Sequence, residues 1–165
     1  MPELLIRPYS PADAPALTKI YGHYVRDTVI TFETEEPSEA EMAARFAAIV
    51  GKKHPMLVAV EGDFIAGYAY ASTYRPREAY RFTCEDSIYL APEAVGRGLG
   101  GKLLAQLINE SRQAGLKQML AVITAERENS IRLHAKHGFR LIGRYEALGF
   151  KFDRWLDIVH MQLGL

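Results

Sequence analysis

Between Tyr89 and Ile108 the chain reads YLAPEAVGRGLGGKLLAQLI. Gly96, Gly98, Gly100 and Gly101 stand between a proline-containing turn and apolar residues at helical spacing. Glycine costs about 1 kcal/mol relative to alanine inside a helix, so a cluster of it where a helix must begin needs a physical reason. Bare backbone supplies one. The first-turn amides of a helix have no intrahelical partner, and the helix dipole adds partial positive charge at that end. Without a Cβ in the way, an anion can reach those amides, and phosphate is the expected guest. Arg97 places a guanidinium in the same turn. The chain lacks the Gly-Lys-Ser/Thr of a P-loop, and no G-x-G-x-x-G is followed by an acidic residue in a βαβ unit. A strand, a phosphate-binding turn and a helix are expected here; the alternative is a flexible loop entering a surface helix.

The flanking segments supply the rest of an architecture. Leu4 to Ser10 reads as a short strand closed by a turn, and Leu17, Ile20, Tyr21 and Tyr24 follow the i, i+3, i+4, i+7 spacing of a helix. Ser38, with Glu41 three residues on, forms a capping box for a second helix through Met42, Phe46 and Ile49 to Gly51. MLVAVEGDFIAGYAYASTY reads as two strands around a hairpin at Glu61-Gly62-Asp63, and TCEDSIYLA as another strand. After the glycine helix, from about Leu99 to Gln113, come a buried-type strand (QMLAVITA), a short helix ended by Gly138, and two final strands. That order predicts an α+β or mixed-sheet α/β fold and excludes a doubly wound parallel sheet. With 165 residues and no repeat or linker, one domain over 1–165 is expected.

Composition narrows the function class. Lys+Arg 20 against Asp+Glu 20 gives a net charge of +0, without the basic field that nucleic-acid binding requires. Cys84 is the only cysteine, so no internal disulfide forms and a reducing, cytoplasmic setting is expected. MPELLIRPYS has no apolar signal core, and no run approaches the ~20 residues of a membrane span. His23, His54 and His160 show no ligand spacing, so no metal site is expected.

VGRGLG, placed after a strand and before an apolar helix, resembles the pyrophosphate loop of the GCN5-related N-acetyltransferases (GNAT). NSIRLHAKHGF resembles that superfamily's second cofactor-contacting segment. IRPYSPAD, TFETE, YRPREAYRFTCEDSIYL and GFKFDRWLDIVHMQ are similar, in order and spacing, to the phosphinothricin and methionine sulfoximine acetyltransferase branch. Nearly the whole chain is covered, most specifically Tyr74 to Leu90 joined to the glycine turn. The resemblance implies a GNAT fold, with a mostly antiparallel mixed sheet flanked by helices. It also implies acetyl-CoA as donor, a small amine as acceptor and a homodimer with its pocket near the subunit interface. For cofactor contacts it implies Ile88, Tyr89, Leu90, Gly96, Arg97, Gly98, Leu99, Gly100 and Gly101, with Arg127 or Asn129 in the second segment. Val95 stands where the superfamily usually has Gln or Arg; a mostly backbone cradle makes this a small change.

Acetyl transfer to an amine sets further requirements: a base for the ammonium proton, and backbone donors for the developing oxyanion. A proton donor for a leaving thiolate of pKa about 8.5 helps but is not obligatory. Strand alternation puts Glu85, Ser87 and Tyr89 on one face and Cys84, Asp86, Ile88 and Leu90 on the other. Glu85 is the candidate base, as the resemblance also implies. His134 occupies the place of a superfamily tyrosine that protonates the leaving sulfur, and is the candidate acid. Cys84 faces away from Glu85 and has no histidine near it in sequence, which favours direct transfer over an acyl-enzyme. Arg75 and Arg77, beside Tyr74 and Tyr80, offer forks for acceptor oxygens, and Phe32 offers an apolar wall. Trp155 fits either core or interface. Other readings are an acetyltransferase for a protein N-terminus or a polyamine, and an acyl-CoA sensor without chemistry. A polyamine would require an acidic groove, which YRPREAYR does not provide.

Overall fold

The computed structural model describes residues 2–165. One seven-stranded sheet runs β1 (Leu4–Pro8), β2 (Met56–Glu61), β3 (Phe64–Thr73), β4 (Thr83–Leu90), β5 (Gln118–Thr124), β7 (Arg154–Gly164) and β6 (Arg140–Lys151) from edge to edge. Every neighbouring pair is antiparallel except β4 and β5. A parallel pair needs a crossover element, here α3 (Leu99–Gln113), which begins at the glycine turn. The other helices are α1 (Ala14–Asp27), α2 (Glu39–Gly51) and α4 (Glu128–Lys136). The mixed α/β architecture expected from the element order is the one observed.

Local chemistry explains most boundaries. Ser38 Oγ accepts the Glu41 amide and the Glu41 carboxylate accepts the Ser38 amide, so the box starts α2 where the sequence places it. The β2–β3 hairpin turns at Gly62, with φ +61. β1 is shorter than expected. It stops at Pro8, and Ser10 caps a single 3-10 turn at Pro11–Asp13 whose Asp13 carboxylate takes both the Ser10 amide and the Arg7 guanidinium.

The helices bury one stripe each. α1 contributes Leu17, Ile20, Tyr21, Tyr24 and Val25 to the core, and α3 contributes Leu99, Leu103, Leu104, Leu107 and Ile108. α1 and α2 cover the sheet face that carries Tyr68 and Tyr89: Tyr21 and Tyr24 pack on Tyr89 with ring centroids 5.1 and 5.3 Å away, and Phe46 packs on Tyr68. α4 lies on the opposite face, where His134 reaches Asp86. Gly67 lets β3 and β4 close over one another, since a Cβ there would stand 2.7 Å from the Tyr89 carbonyl oxygen.

One irregularity positions the site. β4 and β5 pair only at Thr83–Gln118, Cys84–Met119 and Glu85–Leu120. Beyond Glu85 the two strands part: Asp86 to Leu90 keep β3 on one side, while Ala121 to Thr124 keep β7.

Candidate active site

Glu85 stands at the apex of that opening, the last residue of β4 still paired with β5. Alternation holds as expected. Glu85, Ser87 and Tyr89 lie opposite Ser72, Tyr70 and Tyr68 of β3 in register, and Asp86 turns to the other face. Burial pushes the Glu85 carboxyl above the usual carboxylate range, and the Asp86 charge adds to this. Around it the face is aromatic. Tyr89 and Tyr70 are raised by burial and so remain neutral phenols; Tyr70 feels the charges of both Glu85 and Glu33. Glu33, in the loop after α1, accepts from the Tyr21 hydroxyl and pairs with Arg45 at 2.7 Å.

At the far end of β4, Ala91 leads through a single turn (Pro92–Ala94) into the glycine turn. Gly96 and Gly98 take left-handed φ of +81 and +78, and Gly98 is the N-cap of α3. Nothing lies within 4 Å of a Cβ built on either, so the turn is uncrowded on that side. Gly100 and Gly101 differ, because their Cβ positions would make ordinary contact, at 3.6 Å, with Leu133 of α4 and with His137 just past its end. The Arg97 guanidinium is held by Glu61 at 2.6 Å. Arg97 is thereby turned to the end of β2. A left-handed glycine N-cap, whose first-turn amides lack intrahelical partners, suits the diphosphate of a nucleotide thioester.

A model of the "Acetyltransferase (GNAT) domain" family matches residues 6–160. The chain belongs to the GNAT acetyltransferase family. It is 45% identical over 154 residues to a phosphinothricin N-acetyltransferase of Alcaligenes faecalis, covering 93% of this chain and 78% of that one. It is 37% identical over 162 residues to an L-methionine sulfoximine/L-methionine sulfone acetyltransferase of Salmonella typhimurium, covering 98% and 95%. Among solved structures, a phosphinothricin acetyltransferase of Sinorhizobium meliloti in complex with acetyl-CoA superposes with a TM-score of 0.96 at 47% identity, over 98% of this chain and 88% of that one.

The acetyltransferase places its other sequence candidates unevenly. Tyr74, Arg75, Arg77 and Tyr80 lie in the connection between β3 and β4, which leaves β3 beside Cys84 and Glu85. Tyr74 and Tyr80 pack edge to face at 5.5 Å, and Arg75 lies 5.2 Å from the Tyr74 ring centre. Both arginines are exposed, and neither forms an ion pair among the described residues. Phe32 sits farther along, in the loop after α1, against β6. Asn129 is on the first turn of α4 and accepts from Arg132, whereas Arg127 precedes that helix as its N-cap. Trp155 is 66% exposed and is not core. Cys84 is buried, and burial followed by the Asp86 charge pushes its thiol up to about 12, far from a nucleophilic thiolate at neutral pH.

His134, the candidate acid, is bonded at both ring nitrogens. It is 5% exposed, on the sheet face opposite Glu85, with Nε2 2.7 Å from Asp86 Oδ2 and Nδ1 2.7 Å from the Ser130 carbonyl oxygen. Both partners are acceptors, so the imidazolium, which donates at both nitrogens, satisfies the site. Burial alone would lower its pKa; the Asp86 bond and charge and the Ser130 carbonyl outweigh that and raise it. A base whose folded pKa exceeds its unfolded value contributes stability that is full below about pH 6.5 and is lost as pH rises through the folded pKa. His134→Gln should therefore flatten the decline of unfolding free energy above about pH 6.5, read by urea titrations in acidic and alkaline buffer. Equal pH slopes in native and variant protein would contradict the ion pair. Asp86 escaped the sequence reading because nothing local ties it to a residue 48 positions away.

Proposed function

We propose that this acetyltransferase moves the acetyl group of acetyl-CoA to the amino group of a small amino-acid analogue of the phosphinothricin, methionine sulfoximine or methionine sulfone type, by direct attack. The observation that carries the mechanism is the position of Glu85 where β4 and β5 part. The backbone of Ile88, Tyr89 and Leu90 lines one side of that opening, and Gly96, Gly98, Leu99, Gly100 and Gly101 lie at its end. Acetyl-CoA supplies an acyl carbon on a good leaving group. Glu85 takes the ammonium proton, directly or through a water, and its raised pKa brings it closer to neutrality, where a base works best. Cys84 has no part in an acyl-enzyme, because its thiol is buried and protonated. His134 serves as acid only by giving up the Nε2 proton it shares with Asp86. A thiolate leaves without help at modest cost, so the pair acts first as a brace between α4 and β4.

Arg75 and Arg77 match the carboxylate and tetrahedral oxo groups of such acceptors, with Tyr74, Tyr80 and Phe32 as walls. A cytoplasmic homodimer completes the reading. Leu141, Ile142, Leu148, Phe150 and Trp155 are all exposed on the edge hairpin β6–β7, apolar side chains that a second copy of the chain would cover. The test is mass spectrometry of phosphinothricin and methionine sulfone after incubation with enzyme and acetyl-CoA. The N-acetyl derivative of at least one is expected; no product from either would refute the acceptor class.

A further inference from the structure

We propose that the bulged segment 145–151 of β6 sets acceptor selectivity through Phe32, with Gly149 and Lys151 as positioning residues; this rests on the acceptor reading above. Pairing with β7 jumps from Tyr145–Ile158 to Gly149–Leu156, four steps along β6 against two along β7. The extra residues form a bulge in which Ala147 takes a left-handed φ of +47. One carboxylate staples it: Asp157 accepts the Ala147 amide at 2.8 Å and the Arg144 guanidinium at 2.6 Å. Bulges re-aim the residues that follow. Here they aim Gly149 and Lys151 at the loop after α1.

Gly149 makes the closest approach. A Cβ on it would overlap the Phe32 ring at Cε2, and would stand 2.6 Å from Cδ2 and 2.7 Å from Cζ. Such separations do not occur between real carbon atoms, so the ring rests on the strand backbone because position 149 has no side chain. Lys151, two residues on, is 3% exposed and donates to the Thr31 carbonyl at 2.8 Å. No carboxylate lies within ion-pair distance of it among the described residues. The ammonium also lies 5.1 Å from the Phe152 ring centre and feels the Glu33 charge, and its hydrogen bond fixes the residue before Phe32.

The rest of the loop is tied as firmly. Thr31 Oγ1 meets the Tyr21 hydroxyl at 2.8 Å, Thr124 Oγ1 of β5 donates to the Val29 carbonyl at 2.6 Å, and Glu33 is held by Tyr21 and Arg45. The loop is thus tied to Tyr21 of α1, which packs on Tyr89 of the Glu85 face, and to β5 and β6. With both flanks of Phe32 anchored, a methyl group at 149 displaces the ring, which the acceptor reading makes a wall of the acceptor space, without touching the glycine turn.

The experiment is a kinetic cycle of native enzyme, Gly149→Ala, Phe32→Ala and the double variant, with Lys151→Met beside it. The acceptor is methionine sulfone, and acetyl-CoA affinity is read by calorimetry. Gly149→Ala should raise the acceptor KM about tenfold or more with the donor Kd within about twofold. In the Phe32→Ala background the same substitution should change KM little, since the ring it collides with is gone. Lys151→Met should raise KM without moving the donor Kd. If the native enzyme acetylates methionine sulfone and Gly149→Ala leaves KM unchanged, or raises it equally with and without Phe32, this inference alone is overturned. Absence of product from the native enzyme overturns the acceptor reading and this inference together.

Discussion

Replacing Glu85 by Gln is expected to lower kcat by about 100-fold or more while leaving acetyl-CoA affinity unchanged. Gln keeps the shape and the polar contacts of the side chain but cannot take a proton at any accessible pH. The donor side should not notice, because the glycine turn lies at the other end of β4 from Glu85. The same carboxyl predicts the pH profile. Burial first, and the neighbouring Asp86 charge second, raise its pKa. The acid limb of kcat/KM should therefore fall above the ordinary glutamate value of about 4.3, and that limb should vanish in the variant. Stopped assays of thiol release across pH measure both effects. Full turnover in Glu85→Gln would remove this residue from the chemistry.

The second large effect is on the donor. Gly98→Val should weaken acetyl-CoA binding by about 100-fold, from two causes that act together. A β-branched residue at φ +78 carries strain of about 1–3 kcal/mol. Its side chain also fills the uncrowded side of a turn whose amides would otherwise meet a diphosphate. The fold should survive, because the buried stripe of α3 from Leu99 through Leu107 is untouched. Arg97→Ala should cost much less, since that guanidinium is engaged by Glu61. Calorimetric titration of the three proteins distinguishes these outcomes; an unchanged Kd in Gly98→Val would mean that the turn does not grip the donor.

Features governed by neighbours in the chain were legible in the sequence. Ser38 and Glu41 announce the start of α2 because a capping box is a contact between residues three apart. The two faces of β4 follow from alternation, which is why Glu85 and Asp86 could be assigned to opposite sides before any fold was known. The glycine turn is legible for the same reason: left-handed φ at Gly96 and Gly98 is a local demand. The contacts that finish the site are not local. Lys151 meets Thr31 across 120 residues, and His134 meets Asp86 across 48. Phe32 finds Gly149 only once a bulge has shifted the register of β6. His134 shows the consequence. Its position on α4 and its near-neutral intrinsic pKa point to an acid, yet which acceptors face its two nitrogens depends on how α4 packs against β4.

The parting of β4 and β5 belongs to the same class. TCEDSIYL and QMLAVIT both read as complete strands. That they pair over three residues and then diverge follows from what else each must pair with, β3 for one and β7 for the other.

Amide hydrogen exchange with and without saturating acetyl-CoA tests the placement of the donor most directly. Slowed exchange is expected along 88–90 and 96–101, on either side of the turn into α3, with the exposed hairpin of β6 and β7 unaffected. Binding accompanied by protection elsewhere, with no change at Gly96, Gly98 and the first turn of α3, would contradict it.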